Sequence, residues 1–513
     1  MSERFDNDLT SAQSGDSTSV APGVAAKAPG VAATAATAAK APGAAATANR
    51  GRPPYVHRLG MAGLSRNVGF GSNKVFAAAL LQTFNASQPV IGFVLALEGL
   101  FGIILNPLTG WLSDRTPHHF WRRKVYVLVA LPLAGVTWLL FCLSHNFAVA
   151  AVALSFFYIF EQSSVSPYQA WIPDVTPPSL WGVASGWLNL WWEVGNLVAF
   201  LAIPLVWEAS HLGGYVLTAV LVAGGGLVTG LCVPETASVA GAAGNAGAGV
   251  GASSAAGNAG AASIQTAEAA SDQPPGAAPA KASGGVSGFA SGISLQNTRL
   301  RPTYKKLLER NFVFYFLSQA LAWVAFESIG SFFTLFILHS AHGTTLDAGL
   351  AMSVFTVTGM GGALWSGRKY GHGRWTPKRL LASSLALFGA LAILGMFYHS
   401  LVLVFVIVGI EGIFWGVNLT VAYALATSLL RDTARDEAEE MAIRGGLYGM
   451  SNFVQSVGLI VAAPIAGIVI RLSNGNYGGM FLVSCIAGLA GAAMVLFIRP
   501  KRGGVRDGDG ATL

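Results

Sequence analysis

Six ionisable side chains lie well inside long apolar stretches of this 513-residue sequence. They are one lysine and five glutamates: Lys74, Glu98, Glu161, Glu193, Glu327 and Glu411. An ionisable group within hydrocarbon is rare because its charge is costly to bury, so each of the six is a candidate functional residue. The hypothesis that they suggest is proton transfer, in which one glutamate carries a proton because desolvation favours the neutral form of a carboxyl group.

Helical spacing places polar and aromatic side chains beside these glutamates, because residues three, four and seven apart share one side of a helix. The faces are Glu411, Trp415 and Asn418; Gln319, Trp323 and Glu327; Glu161, Ser164 and Tyr168; and Asn189, Glu193 and Asn196. A carboxylate or amide beside an indole suits a sugar, since it offers acceptors for hydroxyl groups and an apolar plate for the C–H face. The alternative is structural: tryptophans form interface belts, and polar groups link neighbouring helices.

Composition shows what kind of chain must position these residues. Charged residues make up 11% of the sequence, against about 25% in a typical soluble domain, and the mean hydropathy is +0.54. We therefore predict an integral membrane protein. The net charge of +7 does not indicate nucleic-acid binding, because the basic residues lie in short loops between apolar spans. The sequence shows no nucleotide-binding loop, metal-ligand spacing or nucleophile motif, so we predict no cofactor, metal or enzyme activity.

Twelve apolar spans of about twenty residues, the length that crosses a bilayer as a helix, follow one another from about residue 61. They run 62–84, 89–112, 124–143, 147–167, 181–206, 213–232, 312–338, 346–366, 379–398, 401–424, 445–470 and 477–498. The first is the weakest prediction, because it carries Arg66, Asn67, Asn73 and Lys74. The fold class is therefore an all-α integral membrane protein with twelve transmembrane helices in two six-helix bundles.

Low-complexity segments divide the chain. We predict a disordered Ala/Pro-rich tail over 1–58, a first bundle over 59–233, a low-complexity cytoplasmic linker over 234–310, a second bundle over 311–499 and a disordered tail over 500–513. With both termini in the cytoplasm, nearly all 31 lysines and arginines lie on the cytoplasmic side, as the positive-inside rule requires.

An internal repeat relates the two bundles. Residues 181–199 align without a gap on residues 444–462, and seven positions match, among them Gly186 with Gly449 and Gly195 with Gly458. Small residues at helical spacing could be coincidental packing positions. The matches instead suggest parallel six-helix repeats with a binding site between them near the middle of the membrane.

The segment from Gly110 to Lys124, GWLSDRTPHHFWRRK, separates the second and third spans. Its order of glycine, leucine, Asp114, Arg115 and a basic cluster containing Arg122 and Arg123 resembles the cytoplasmic loop between helices 2 and 3 of major facilitator superfamily transporters. The resemblance implies the major facilitator fold, with two rigid halves that rock about a central site. It also implies that Asp114, Arg115 and Arg122 latch the cytoplasmic side in the outward-facing state.

Two further stretches resemble one branch of that superfamily, the sucrose:proton and glycoside–pentoside–hexuronide:cation symporters. Residues 167–174 (PYQAWIPD) look like the helix 4–5 loop of that branch, and residues 444–449 (RGGLYG) resemble the start of its helix 11. Asp174 and Arg444 are thereby expected to take part in gating.

Several residues differ from the pattern of this branch, and they bear on which cation is transported with the substrate. Gly102 and Asn106 stand where sodium-coupled members carry carboxylates, and a hard cation needs oxygen ligands, preferably charged ones. This favours a proton over sodium. Trp181 replaces an expected arginine, and the second-half counterpart of the motif loop, residues 367–379, has lost its aspartate.

The resemblance also implies that helices 1, 4, 7 and 10 line the cavity, which places four of the six ionisable residues there. Lys74 is interpreted as an ion-pair partner, because a lone ammonium in the membrane loses its proton or finds a carboxylate. Glu327 is the first choice of partner and Glu98 the alternative. Helices 2 and 5, which carry the candidates Glu98 and Glu193, are not among these four.

The leading functional prediction is a secondary transporter in the cytoplasmic (inner) cell membrane that moves a sugar or glycoside together with a proton and works as a monomer. One alternative is an exporter or antiporter of another small organic solute. Another is a non-transporting sensor or assembly factor, which the buried glutamates argue against. The sequence does not identify the substrate.

Overall fold

The computed structural model describes residues 55–116, 122–176, 180–234, 305–369, 375–397, 400–435 and 437–499. The side chains of a few of these, at the ends of helices, are not described; they include Asp114, Trp181 and Arg444. All of the described residues belong to one compact unit, Arg52–Leu513. The two tails and most of the linker lie outside the described residues.

Helices account for nearly all of the described chain. The first six are α1 (Val56–Ser72, a π-helical turn Asn73–Ala77, and Ala78–Thr83), α2 (Gln88–Arg115), α3 (Lys124–Cys142), α4 (Phe147–Val175), α5 (Trp181–Leu197, a π-helical turn Val198–Ala202, and Ile203–Ala209) and α6 (His211–Cys232). The second six are α7 (Arg310–Gly330 and, after a break, Phe333–His339), α8 (Thr345–Lys369), α9 (Pro377–Ala392 with a 3-10 turn Ile393–Phe397), α10 (Leu401–Thr433), α11 (Glu437–Leu472) and α12 (Gly479–Phe497).

The all-helical membrane architecture predicted from the sequence is confirmed. Eleven of these helices are long and apolar enough to cross a membrane, and α1 is the remaining one. Arg66 and Lys74 lower its hydropathy. Several helices extend further than their apolar spans: α4 reaches Val175, α10 reaches Thr433 and α11 begins at Glu437. Hydropathy detects only the part of a helix that lies in hydrocarbon, so it misses these polar extensions.

The two groups of six helices pack in the same order. In the first group, contacts follow the series α2, α4, α3, α6, α1, α5, and in the second they follow α8, α10, α9, α12, α7, α11. Adding six to each number of the first series gives the second. Two large contacts, α2 with α11 and α5 with α8, join the groups. We call these groups the first and second halves.

Matched glycines of the sequence repeat occupy equivalent places in the two halves. A Cβ on Gly195 of α5 would lie 2.5 Å from the carbonyl oxygen of Leu64 on α1. A Cβ on its counterpart Gly458 of α11 would lie 2.5 Å from Cβ of Trp323 on α7. Each glycine therefore allows the fifth helix of its half to approach the first helix closely, as small residues do in membrane bundles.

The halves approach each other closely at one end of the bundle. We call the end that carries residues 110–124 the loop end, and the opposite end, where α1 finishes and α2 begins, the far end. Toward the far end, a Cβ on Gly99 of α2 would lie 2.7 Å from the carbonyl oxygen of Ser456 on α11, and one on Gly349 of α8 would lie 2.1 Å from that of Phe200 on α5. Near the loop end, none of the described atoms lies within 4 Å of a Cβ built on Gly186 of α5 or Gly449 of α11. We call this open space at the loop end, beside the fifth helix of each half, the crevice.

Candidate functional site

Lys74 joins carboxylates from both halves. Its ammonium contacts Oε1 of Glu327 on α7, and it lies 3.4 Å from Oε2 of Glu98 on α2. All three side chains are buried. The sequence left Glu327 and Glu98 as alternative partners for Lys74, and the fold brings both of them to it. We call Lys74, Glu98 and Glu327 the charge cluster.

Neutral polar groups complete the charge cluster. Asn73 Nδ2 donates a hydrogen bond to Glu98 Oε2 at 3.1 Å, and Tyr158 of α4 donates its hydroxyl hydrogen to Asn73 Oδ1 at 2.9 Å. Ser331, in the break of α7, donates to Glu327 Oε1 at 3.0 Å. The network thus links α1, α2, α4 and α7. Asn73 and Lys74 both lie in the π-helical turn of α1, a feature that is frequent at functional sites.

Charge in the cluster is unbalanced, with one ammonium facing two carboxylates. The ammonium also lies 4.9 Å from the ring centroid of Phe70, where a cation–π interaction adds modest stabilisation. In a low-dielectric interior an uncompensated charge is strongly disfavoured. A single proton taken up by either carboxylate would neutralise the cluster.

The charge cluster lies toward the far end, nine residues before Thr83, which corresponds to about 13 Å along the helix. Beyond it, a second contact joins the halves. Gln82 Nε2 donates to the hydroxyl of Tyr477 at 2.6 Å, and Gln82 Oε1 lies 2.9 Å from His339 Nε2. The rings of His339 and Tyr477 stack with centroids 5.4 Å apart. Together the two contacts close the far end of the crevice.

The predicted faces of α7 and α10 meet in the second half. The rings of Trp323 and Trp415 pack edge to face with centroids 5.2 Å apart. Phe326 stacks on Trp415 with centroids 4.4 Å apart and planes 10° from parallel, and Phe388 of α9 packs on it from another side. These rings form an aromatic cluster. On α7 it lies between Gln319 and Glu327, and on α10 it lies between Glu411 and Asn418.

Three of those polar residues, Gln319, Glu411 and Asn418, are buried with unpaired atoms. Among the described residues, Glu411 Oε1, Gln319 Nε2 and both amide atoms of Asn418 have no hydrogen-bond partner, and all three side chains are more than nine-tenths buried. Gln319 and Asn418 each lie about one turn toward the loop end from the Trp323–Trp415 contact, because α7 and α10 run in opposite directions. A buried polar group without a partner lowers stability by about 1–3 kcal/mol. A ligand that forms hydrogen bonds with these atoms would recover part of that free energy.

A second ion pair lies in the first half, and of its two members the sequence singles out only Glu161 as a functional candidate. Arg66 Nε of α1 is 3.1 Å from Glu161 Oε1 of α4, with side-chain exposures of 18% and 3%. Next to Glu161, the side chain of Gln162 accepts a hydrogen bond from Asn106 Nδ2 of α2 at 3.4 Å. The rule that selected Lys74, an ionisable group inside a span, applies to Arg66 equally well. Asn73, Tyr158 and Ser331 were also missed, and only the arrangement of the helices shows their roles.

The remaining predicted lining residues lie apart from the charge cluster. Tyr168 is buried, and its hydroxyl donates to the carbonyl of Leu59 at 3.1 Å, which ties α4 to α1. Glu193 of α5 is half-buried and accepts a hydrogen bond from Asn196 at 3.2 Å. Asn189 lies one turn earlier on α5 and is also half-buried. The structure thus brings Lys74, Glu98 and Glu327 together and leaves Glu161, Glu193 and Glu411 in separate places.

Basic residues of the motif loop are held within the first half. Arg123 forms an ion pair with Asp174 at the end of α4, and its Nη1 donates to Ser113 Oγ at 3.3 Å. Arg122 Nε donates to the carbonyl of Ser113, also at 3.3 Å. Arg115 packs over the ring of Trp111.

The expected latch of the motif loop stays a prediction, because the side chains of Asp114 and Arg444 lie outside the described structure. Gly110 faces α4, where a Cβ would lie 3.3 Å from that of Ser166. In the second half, Lys306 lies 2.6 Å from Glu439. Its hydrogen bond lowers the pKa of this carboxyl group, which lies outside the membrane spans.

Comparison with known proteins gives a family match and a fold match. Residues 59–438 match the model of the Major Facilitator Superfamily, which covers more than half of the chain. A search of curated proteins gave no match. The matched model describes the superfamily as a whole, so the resemblance to the sucrose:proton and glycoside–pentoside–hexuronide:cation symporter branch stays a prediction.

Solved structures with a similar fold include two transporters. A bacterial homologue of the human lysosomal transporter Spinster, in an inward-facing and unoccupied conformation, has 17% identity and a TM-score of 0.57. That match covers 87% of this chain and 95% of the other. A structure of the nucleoside transporter NupG has 13% identity and a TM-score of 0.60, and the match covers 86% of this chain and all of the other. At these identities the likeness concerns the fold alone.

Proposed function

The chain belongs to the Major Facilitator Superfamily, so it is a multi-pass membrane transporter and not an enzyme; from that premise we propose that it is a proton-coupled symporter of a sugar or glycoside. The observation that carries the coupling part of this proposal is the position of Lys74, whose ammonium contacts one carboxylate from each half. A group that bridges the halves can link its own charge state to their separation.

The proposed cycle follows from the charge imbalance in the cluster. With both carboxylates ionised, Lys74 holds Glu98 and Glu327 together and keeps the far end closed. A proton on Glu327 removes the negative charge that ties α7 to α1, which weakens the far-end contact and favours rocking of the halves. Because a ligand shifts a conformational equilibrium only through its different affinity for the two states, proton and substrate must both favour the same rearrangement to be coupled.

The substrate part of the proposal is supported by the second half. Gln319, Glu411 and Asn418 offer unpaired donors and acceptors, and Trp323 and Trp415 offer aromatic faces one turn away. A polyhydroxylated ring with an apolar C–H face can use both. Nucleosides share these features and belong in the same substrate panel.

The proposal also includes the orientation of the protein in the membrane, the membrane in which it lies and its oligomeric state. We place both termini and the loop end in the cytoplasm of the cell, because that orientation agrees with the positive-inside rule. The open crevice then faces the cytoplasm. We further propose that the protein lies in the cytoplasmic (inner) membrane and functions as a monomer, since each chain supplies both halves of the crevice.

The test uses purified full-length protein in liposomes that contain a pH-sensitive dye. Sucrose, maltose, other glycosides and nucleosides are added one at a time, with and without sodium. We expect one class of sugar to drive protons across the membrane. In Glu327→Gln, sugar accumulation driven by a proton gradient should be lost while exchange of labelled for unlabelled sugar persists, because exchange does not require proton release.

A matched control is Glu208→Gln, which removes a carboxylate from an exposed position at the far end of α5 and should leave both activities unchanged. Transport of sugar without proton movement, or accumulation by Glu327→Gln at the wild-type level, would contradict proton coupling through the cluster. Proton-coupled uptake of nucleosides but no sugar would refute the sugar assignment alone.

A further inference from the structure

A groove of about 610 Å³ lies between α8, α9 and α10 of the second half. The main contacts of α9 are with α10 and α12 of its own half, which places the groove on the face of the bundle turned away from the crevice. Trp365, Leu387 and Ile413 on its walls are each more than 40% exposed. This surface faces the membrane. The lining residues are Thr358, Gly361, Gly362, Trp365, Trp375, Leu380, Ser383, Ser384, Leu387, Ile413, Phe414 and Val417.

The polar residues of the groove are already satisfied by their own helices. The hydroxyl of Thr358 donates to the carbonyl of Val354 at 2.9 Å, and those of Ser383 and Ser384 donate to the carbonyls three residues before them. Their donors are therefore used within the protein, and the surface they present is effectively apolar. Such a lining suits a hydrocarbon chain better than a polar solute, and the volume falls within the range of about 300–1,000 Å³ typical of ligand pockets.

Positive charge gathers where the groove reaches the loop end. Arg368 and Lys369 follow Trp365 by three and four residues and so lie one turn further along the same side of α8. Arg379 precedes Ser383 by four residues and lies one turn from the groove on α9. All three side chains are exposed. Trp365 and Trp375 pack edge to face with centroids 5.4 Å apart, at the level where tryptophans meet lipid headgroups.

The sequence around the loop end of the groove, which we call its mouth, contains basic residues but no acidic residue that could neutralise them. Residues 366–379 contain five basic residues and no acidic one, because this second-half counterpart of the motif loop lacks the aspartate of the first. In the first half, by contrast, Arg123 is neutralised by Asp174. The two loops are related by the internal repeat, yet only the second presents basic side chains without a nearby carboxylate in its own sequence.

We propose that the α8–α9–α10 groove binds one anionic phospholipid of the loop-end leaflet, with an acyl chain in the groove and the phosphate at Arg368, Lys369 and Arg379. The apolar lining selects the chain, and the basic mouth selects the headgroup charge. Basic pockets between transmembrane helices are known to bind anionic headgroups, and each lysine or arginine near the surface contributes about a fivefold gain in affinity. This site is separate from the proposed transport site and does not depend on it.

The experiment measures lipid retention by the purified full-length protein with native mass spectrometry. Phosphatidylglycerol and phosphatidylcholine with identical acyl chains serve as probes. We expect one phosphatidylglycerol to bind at least tenfold more tightly than phosphatidylcholine. The triple variant Arg368→Gln, Lys369→Gln, Arg379→Gln should abolish this preference, because about fivefold per charge exceeds a hundredfold for three charges.

A second variant tests the groove itself. None of the described atoms lies within 4 Å of a Cβ built on Gly361, so the side chain of Gly361→Leu starts in the open space of the groove and should reduce retention of both lipids at least tenfold. Ser383→Leu fills the groove from α9 and should act in the same direction. If Gly361→Leu lowers the unfolding temperature, Ser383→Leu decides the outcome.

Two controls match these changes. Gly224→Leu on α6 is equally unobstructed. Arg431→Gln removes an exposed charge fourteen residues past Val417, about 21 Å along α10 from the groove. Both controls should retain lipid as the wild type does. Equal binding of the two lipids, a preference that survives in the triple variant, or full retention when the groove is filled would each overturn the proposal.

Discussion

The two halves share a packing order but differ in how they hold their buried polar groups. In the first half, Arg66 pairs with Glu161, and Lys74 pairs with Glu98 and reaches Glu327. In the second half, Glu411 and Asn418 are buried with unpaired atoms beside an aromatic cluster. The basic members of the two ion-paired groups, Arg66 and Lys74, both lie on α1. From this comparison we propose that the coupling lysine lies in the first half and the groups that contact substrate lie in the second.

The largest expected effect comes from removing the lysine that connects the halves. Lys74→Met leaves two carboxylates buried without a counter-ion, so we expect a loss of about 3–5 kcal/mol in unfolding free energy, together with loss of transport. Glu411→Gln, which removes a carboxyl group that has no basic partner among the described residues, should cost less than about 1 kcal/mol. Denaturant unfolding in detergent measures the unfolding free energy of both variants. Equal losses in Lys74→Met and Glu411→Gln would contradict the difference between paired charges in the first half and unpaired groups in the second.

A smaller loss is expected for the second ion pair. Arg66 is partly exposed, so Arg66→Gln should lower the unfolding free energy by about 1–3 kcal/mol, between the values for exposed and fully buried pairs. Adding Glu161→Gln should recover part of that loss, because no unpaired carboxylate remains. The check is a double-mutant cycle. Additive losses would show that the two side chains do not interact.

An unpaired amide in the second half should behave in the opposite way. Asn418→Leu removes buried atoms that have no partner, so it should raise the unfolding free energy by about 1 kcal/mol while raising the KM for substrate at least tenfold. In the first half, Asn106→Leu removes one unpaired atom, Oδ1, but also breaks the bond from Nδ2 to Gln162, so it should raise the unfolding free energy less than Asn418→Leu does. Unchanged KM in Asn418→Leu would exclude this residue from substrate binding.

The smallest effect concerns the closed far end. Tyr477→Phe removes one hydrogen bond to Gln82, worth about 0.5–1.5 kcal/mol. The population with an open far end should rise by roughly 2–12-fold. Spin labels at the exposed residues Leu212 and Leu472 report this as a longer distance distribution. Gly475→Ala, in the same loop, keeps the bond but strains the backbone at φ +82°, and it should not reproduce the change.

Much of the fold could be predicted from the sequence, because hydrocarbon imposes a minimum length and polarity on each crossing helix. The same rule identified Lys74, Glu98 and Glu327 from the cost of a buried charge. It could not show that Lys74 contacts both glutamates, since that depends on how α1 is rotated toward α2 and α7. Tyr158 and Ser331 are ordinary helix residues in sequence, and only their position beside Asn73 and Glu327 gives them a part in the network.

The π-helical turn at Asn73–Ala77 decides which change of length α1 tolerates. A π turn holds about one residue more than an α turn, so the extra residue is taken up within Asn73–Ala77 and the helix after the turn keeps its facing. Deletion of one residue there would convert the turn to an α turn and leave Gln82 directed at Tyr477 and His339. The same deletion in an uninterrupted α-helix would rotate everything downstream by about 100°. In genetic terms, the turn allows α1 to lose one codon in frame while the far-end contact is kept.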